Sequence, residues 1–165
     1  MTGYGRAALE ELRAVHGVLQ AIDLATGTGL EEAVASQCVT EGVEEHADVV
    51  TALVQSALSL RVVQRAAARE HWREMYVGTV QADGTVLEGY VDLVYREDDG
   101  SLVVVDYKTD AIPAGALPAR ARYYAPQQLA YASGLTAATG KPVDPVLVFA
   151  APDTAVVVPL SGTAS

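Results

Sequence analysis

The chain has 165 residues, half of them apolar, which suits one domain with a sizeable core and excludes a disordered tail. A formal charge of −10 and a pI near 4.6 exclude capture of nucleic acid by a broad basic surface, so a polyanionic ligand needs metal ions, a local groove or a partner. Cys38 is the single cysteine, which excludes an intramolecular disulfide, a cysteine-built zinc site and a four-cysteine iron–sulfur cluster; it reads as a small buried residue in a reducing cytoplasm.

Leu9, Leu12, Leu19 and Ile22 recur at helical spacing from about Gly5 to Leu24, and Gly27-Thr28-Gly29 ends that unit. No positively charged flank precedes an apolar run there, and no segment approaches the eighteen or so apolar residues of a membrane span, so a soluble cytoplasmic chain without a signal peptide is expected. A second helix is predicted from about Leu30 to Thr40, and a third over Val43 to Leu58, amphipathic through Val49, Val50, Leu53, Val54 and Leu58. Ser59 is placed to cap a fourth, running through Val62 and Val63 to Ala68.

From Trp72 the period changes to that of strands: Arg73 to Val80, Thr85 to Tyr95 and Ser101 to Tyr107, with Asp83-Gly84 and Asp98-Asp99-Gly100 between them. Two Asp-Gly turns between β-rich runs predict a three-stranded antiparallel meander. Ala111 to Pro118, with two prolines and a glycine, reads as a loop, Ala119 to Thr139 as a helix ended by Gly140, and Pro145 to Ala150 and Ala155 to Leu160 as the last strands. Helices, meander, helix and strands in that order predict an α/β or α+β domain around a central mixed sheet, with residues 1–70 forming a helical part and residues 71–165 a sheet core with one helix.

The chemistry concentrates in Glu88-Gly89-Tyr90-Val91-Asp92 and Asp106-Tyr107-Lys108. Alternate residues of a strand share a face, so Glu88, Tyr90 and Asp92 are expected to line up on one strand, and Asp106 and Lys108 on the next. Charges on a strand usually form its solvated face, but Val103, Val104 and Val105 run straight into Asp106, so that strand reads as buried on both faces, where an unpaired carboxylate is costly. Two carboxylates and an ammonium gathered there read as a metal site with a built-in cation.

His16 within a helix, Gly89-Tyr90-Val91-Asp92, Asp106-Tyr107-Lys108-Thr109-Asp110, and Gln127 with Tyr131 on a later helix together resemble the RecB-type nuclease domain of the PD-(D/E)XK superfamily. Members often sit at the C-terminus of UvrD-like helicase subunits such as those of the AddAB and AdnAB machines. The resemblance runs from about residue 5 to residue 150, with four motifs in the family's order. It implies a restriction-endonuclease-like core. It also implies that His16, Asp92, Asp106 and the backbone carbonyl of Tyr107 ligate Mg²⁺ or Mn²⁺, which suits a mostly oxygen shell with one imidazole. Lys108 would orient or deprotonate the attacking water, or stabilise developing charge. Gln127 and Tyr131, four apart and so on one helical face with Tyr124, would contact the DNA backbone or position the scissile phosphate.

Read from the residues alone, His16 lies on an apolar helix face and fits a satisfied core histidine as well as a ligand. Tyr124 and Tyr131 likewise fit core aromatics, whereas Gln127 is an amide on an otherwise apolar face and needs a polar partner. Glu74 and Glu88 are second-rank candidates, equally readable as edge charges that discourage strand pairing. Arg120 and Arg122 read first as solvated arginines and second as phosphate contacts. The resemblance implies a DNA exonuclease of repair or recombination working on a strand, expected to be single, delivered by a helicase motor. Because nothing resembles Gly-x-x-x-x-Gly-Lys-Ser/Thr, the motor is expected in the same larger polypeptide or a partner. A silent nuclease fold serving a helicase, and a stand-alone single-strand endonuclease or phosphoesterase, remain the alternatives.

Overall fold

Glycines in the left-handed region and one extended leucine cut the apolar helical sequence of the first 70 residues into four helices: α1 (Tyr4–Ala21), α2 (Leu30–Glu41), α3 (Ala47–Leu58) and α4 (Arg61–Ala67). The computed structural model describes residues 4–109, 112–151 and 154–160, so Asp110 of the sequence motif lies outside the described residues. Two boundaries differ from the expectation. The run from Val43 begins with a 3₁₀ turn, Glu44–His46, before α3 starts. Ser59 caps the end of α3, its hydroxyl donating to Ser56 O at 2.7 Å, and the helix break falls at Leu60, whose extended ψ of 137° precedes α4.

Five strands follow the helices: β1 (His71–Val80), β2 (Val86–Arg96), β3 (Leu102–Lys108), β4 (Val143–Phe149) and β5 (Val156–Pro159), with α5 (Leu117–Thr139) between β3 and β4. They form one sheet in the order β1-β2-β3-β4-β5, with β1/β2 and β2/β3 antiparallel as the meander predicts. Both turns of the meander close the same way. Gly84 and Gly100 take φ of 85° and 84°, a conformation that costs glycine little, while Asp83 and Asp99 accept the backbone N–H of Thr85 and Ser101. Leu102 N donates to Pro142 O at the start of the β3–β4 pair, and the sheet is mixed because α5 carries the chain across to β4.

The chain divides into two compact units. The first comprises residues 4–68, 107–109, 149–151 and 154–156, where α1 packs on α2 and α3 and buries Ala14, Val15, Val18, Leu19 and Ile22. Leu9, assigned to the apolar face by spacing, is 56% exposed instead, because the buried stripe begins one turn later. The second comprises residues 69–106, 112–148 and 157–160, where α5 packs on β1 and β2 around Val77, Val91, Val94, Val104, Tyr131 and Leu135. β3 is buried from Leu102 through Tyr107, so its valine run does sit between two covered faces. Among the described residues, no helix is long and apolar enough to cross a membrane.

Candidate active site

The β2–β3 ladder pairs Arg96 with Leu102, Tyr95 with Val103, Val94 with Val104 and Leu93 with Val105. The ladder ends there; continued by one step, the same register would bring Asp92 level with Asp106. Directly opposed residues of an antiparallel pair hold their Cβ atoms about 4.5–5.5 Å apart, and like charges so placed repel. Asp106 is only 7% exposed and Asp92 is half-buried, so little water screens them. Carboxylates brought close in such a setting are stabilised by hydrogen-bond donors or by a cation.

The strand geometry around Asp92 departs from simple alternation. β1 pairs Arg73 with Leu93 and Met75 with Val91 but skips the step between, where Glu74 takes φ of 51° opposite Asp92. Trp72, Val94 and Val104 join Met75, Val77, Leu87 and Val91 in one apolar cluster with Tyr131 and Leu135, although strict alternation would put Val91 and Val94 on opposite faces. The alternation therefore changes phase at Asp92, a device that re-aims side chains in the manner of a β-bulge. Glu88 and Tyr90, expected beside Asp92, are exposed instead, and Glu88 accepts the Tyr76 hydroxyl at 2.6 Å. That hydrogen bond, helped by desolvation and the Glu88 charge, pushes the Tyr76 phenol above its usual pKa.

Two sequence motifs far apart in the chain meet at Gly89. A Cβ there would lie 2.2 Å from the Tyr131 hydroxyl, so only glycine lets α5 approach this strand, three residues before Asp92. Tyr131 is buried, its hydroxyl donating to Glu88 O at 3.4 Å, and Gln127 Nε2 reaches the same hydroxyl at 3.5 Å. Gln127 is nevertheless exposed, contrary to its expected place on an apolar face. The buried amide is its neighbour Gln128, 3% exposed, whose Oε1 makes no hydrogen bond among the described residues. Spacing could not separate the two glutamines because both fit the helix.

His16, half-buried on α1, directs Nε2 to Tyr107 O at 2.9 Å. A carbonyl oxygen only accepts, so Nε2–H is the donor in this bond, which holds the imidazole beside the Tyr107 carbonyl. Lys108 follows at the end of β3, its carbonyl accepting Ala150 N at 2.7 Å. Among the described residues, no group of three or more His, Cys, Asp or Glu side chains stands ready to hold a metal. Carboxylates such as Asp92 and Asp106 are by type ligands for hard divalent cations. Sequence reasoning passed over Tyr123, which stands beside Arg120 on α5 and is recoverable from the i, i+3 spacing of that pair.

Comparison with known proteins places the chain in a family. Over 74 residues, 45% of this chain, it is 38% identical to a subunit of the ATP-dependent helicase/nuclease of Acetivibrio thermocellus, of whose length the match covers 6%. A crystal structure of SSO0001 is similar over 93% of this chain and 65% of that one, at 16% identity and a TM-score of 0.46. Residues 9–160, nearly the whole length, match the family description, and the chain belongs to the PD-(D/E)XK nuclease superfamily.

Proposed function

We propose that this chain is a Mg²⁺- or Mn²⁺-dependent DNA nuclease domain that acts as an exonuclease on a strand delivered by an associated helicase, in repair or recombination. What carries the reading is membership of this superfamily together with the β2–β3 register, which, continued one step past Leu93 and Val105, would bring Asp92 level with Asp106, two residues before Lys108. His16, Asp92, Asp106 and the Tyr107 carbonyl would hold the metal, which when bound lowers the pKa of water and offsets charge on the phosphate. Lys108 orients or deprotonates the attacking water or stabilises the developing charge, and Gln127 with Tyr131 positions the scissile phosphate. The helicase partner rests on the name of the relative from Acetivibrio thermocellus and on the absence of a phosphate-binding loop from this sequence.

Cleavage of linear and circular single-stranded DNA with Mn²⁺ or Mg²⁺ tests this, comparing the wild type with Lys108→Ala, Asp106→Ala and a chelator control. Metal-dependent cleavage lost in both variants, with circles left whole, is the expected result. Cut circles would identify an endonuclease, and tight metal binding with no cleavage of any strand would identify a silent nuclease fold. His16→Ala should sharply weaken Mn²⁺ affinity measured by calorimetry; unchanged affinity in a folded variant makes His16 a core residue.

A further inference from the structure

We propose that Arg120, Tyr123 and Tyr124 of α5 form a nucleotide-binding subsite for single-stranded nucleic acid, the guanidinium taking a phosphate and the exposed Tyr123 ring stacking a base. The proposal rests on the nuclease reading and adds where the strand is held. The Arg120 guanidinium carbon lies 5.1 Å from the Tyr123 ring centroid and 5.2 Å from that of Tyr124, both within cation–π range. The two rings stand edge to face, 5.1 Å apart at 78°. Cation–π contact engages the face of a guanidinium, so the two rings orient the Arg120 side chain.

Three features make fold support a poor explanation of the cluster. Tyr123 is 70% exposed, so its ring contributes little to a core. Arg120 lies in the first turn of α5, where the helix dipole disfavours a cation. Residues 117–139 of α5 contain two arginines and no acidic residue, in a chain whose net charge is −10. The cluster is also continuous with the nuclease motif. Arg120, Tyr124, Gln127 and Tyr131 are spaced by four, three and four, one stripe along the helix, and Tyr131 ends against Gly89 of the motif that holds Asp92. Eleven residues of helix place the subsite about 16 Å along α5 from Tyr131. A single strand fits better than a duplex, because only unpaired bases offer a face to an exposed tyrosine. Stacking also supplies affinity that an acidic chain cannot draw from a broad electrostatic surface.

Anisotropy of a fluorescein-labelled oligothymidylate, titrated in chelator so that nothing is cut, tests the subsite across a salt series. Tyr123→Ala should weaken binding about tenfold or more, and Tyr123→Trp should restore it. Arg120→Gln should lower the slope of log affinity against log salt by about 0.7, the loss of one phosphate contact on a single strand. Unchanged affinity in Tyr123→Ala, an unchanged slope in Arg120→Gln, no binding by the wild type, or equal binding of a duplex of the same length would each overturn the proposal. Cleavage with Mn²⁺ is scored separately. Cleavage with tyrosine-independent binding removes the subsite and leaves the nuclease; tyrosine-dependent binding without cleavage removes the nuclease reading and leaves the subsite.

Discussion

Gly89→Ala perturbs the contact that joins the two motifs, and its size can be worked from the structure. The new Cβ would lie 2.2 Å from the Tyr131 hydroxyl oxygen and 3.2 Å from Cζ. Ordinary contact needs about 3.5 Å, so the hydroxyl must retreat by more than about 1 Å into a packed cluster. Overpacking of that kind costs about 1–3 kcal/mol. Alanine returns about 0.5–1 kcal/mol over glycine within a strand, leaving a net loss of about 0–2.5 kcal/mol. Tyr131→Phe alone gives up only the long hydroxyl bonds to Glu88 O and Gln127, at 3.4 and 3.5 Å, which are worth under about 1 kcal/mol. In the double variant the clashing oxygen is gone, so the two substitutions should couple favourably by about 1 kcal/mol or more. Urea unfolding of all four proteins at constant m measures this. A cycle that closes additively, within about 0.5 kcal/mol, would show that Gly89 is not there for Tyr131.

Replacing Gln128 by Leu removes a buried amide oxygen that lacks a hydrogen bond, and the urea midpoint should hold or rise; a loss above about 1 kcal/mol would mean that this amide has a partner. Burial first, then the charges of Glu44 and Glu11, push the Cys38 thiol up, so iodoacetamide should label the native protein slowly near pH 8 and quickly in urea; fast native labelling would contradict that environment. The hydroxyl and backbone N–H of Ser101 hold the Asp99 carboxyl below its usual range, and the backbone N–H of Thr85 does the same for Asp83. Both folded-state values are depressed, so their contribution is present above the unfolded carboxylate pKa of about 3.9 and is lost as pH falls through the lower folded value. Asp99→Ala should therefore flatten the acid limb of the stability curve, and an unchanged limb would show that the turn bonds do not persist in solution.

The strands were legible because each carries its own signal. Val103 to Val105 announced a doubly covered strand, and the Asp-Gly pairs announced turns whose glycines do sit at positive φ. Helix content was legible too, but caps were not: Ser59 is a good capping residue, yet the chain spends it on the end of α3 because Leu60 is already extended. The pairing of Leu93 with Val105, next to Asp92 and Asp106, is a matter of register, which single-strand periodicity does not contain. Alternation predicted Glu88 and Tyr90 beside Asp92, and failed where Glu74 enters the left-handed region, a conformation no rule for glutamate foresees. Nor does either motif by itself reveal that Gly89 exists for Tyr131, since that contact joins residues 42 positions apart.

The distribution of local misfits supports placing function on α5. Its N-cap, Ala116, makes no side-chain hydrogen bond, and Arg120 stands at the positive end of the dipole. Pro126 lies inside the helix, where it has no N–H to offer the Arg122 carbonyl, and Gln128 is buried with an unbonded oxygen. Each of these costs stability, and all lie within the stretch that ends at Tyr131. Beyond it Ala132 and Leu135 are buried, Gly140 closes the end at φ of 68°, and the interior Gly134 is explained by packing, since a Cβ there would lie 2.8 Å from Thr79 of β1. Covering β1 accounts for Gly134 but not for the misfits before Tyr131. Sequences keep such local conflicts where function needs them, and here they flank Gln127 and the Tyr131 that meets Gly89.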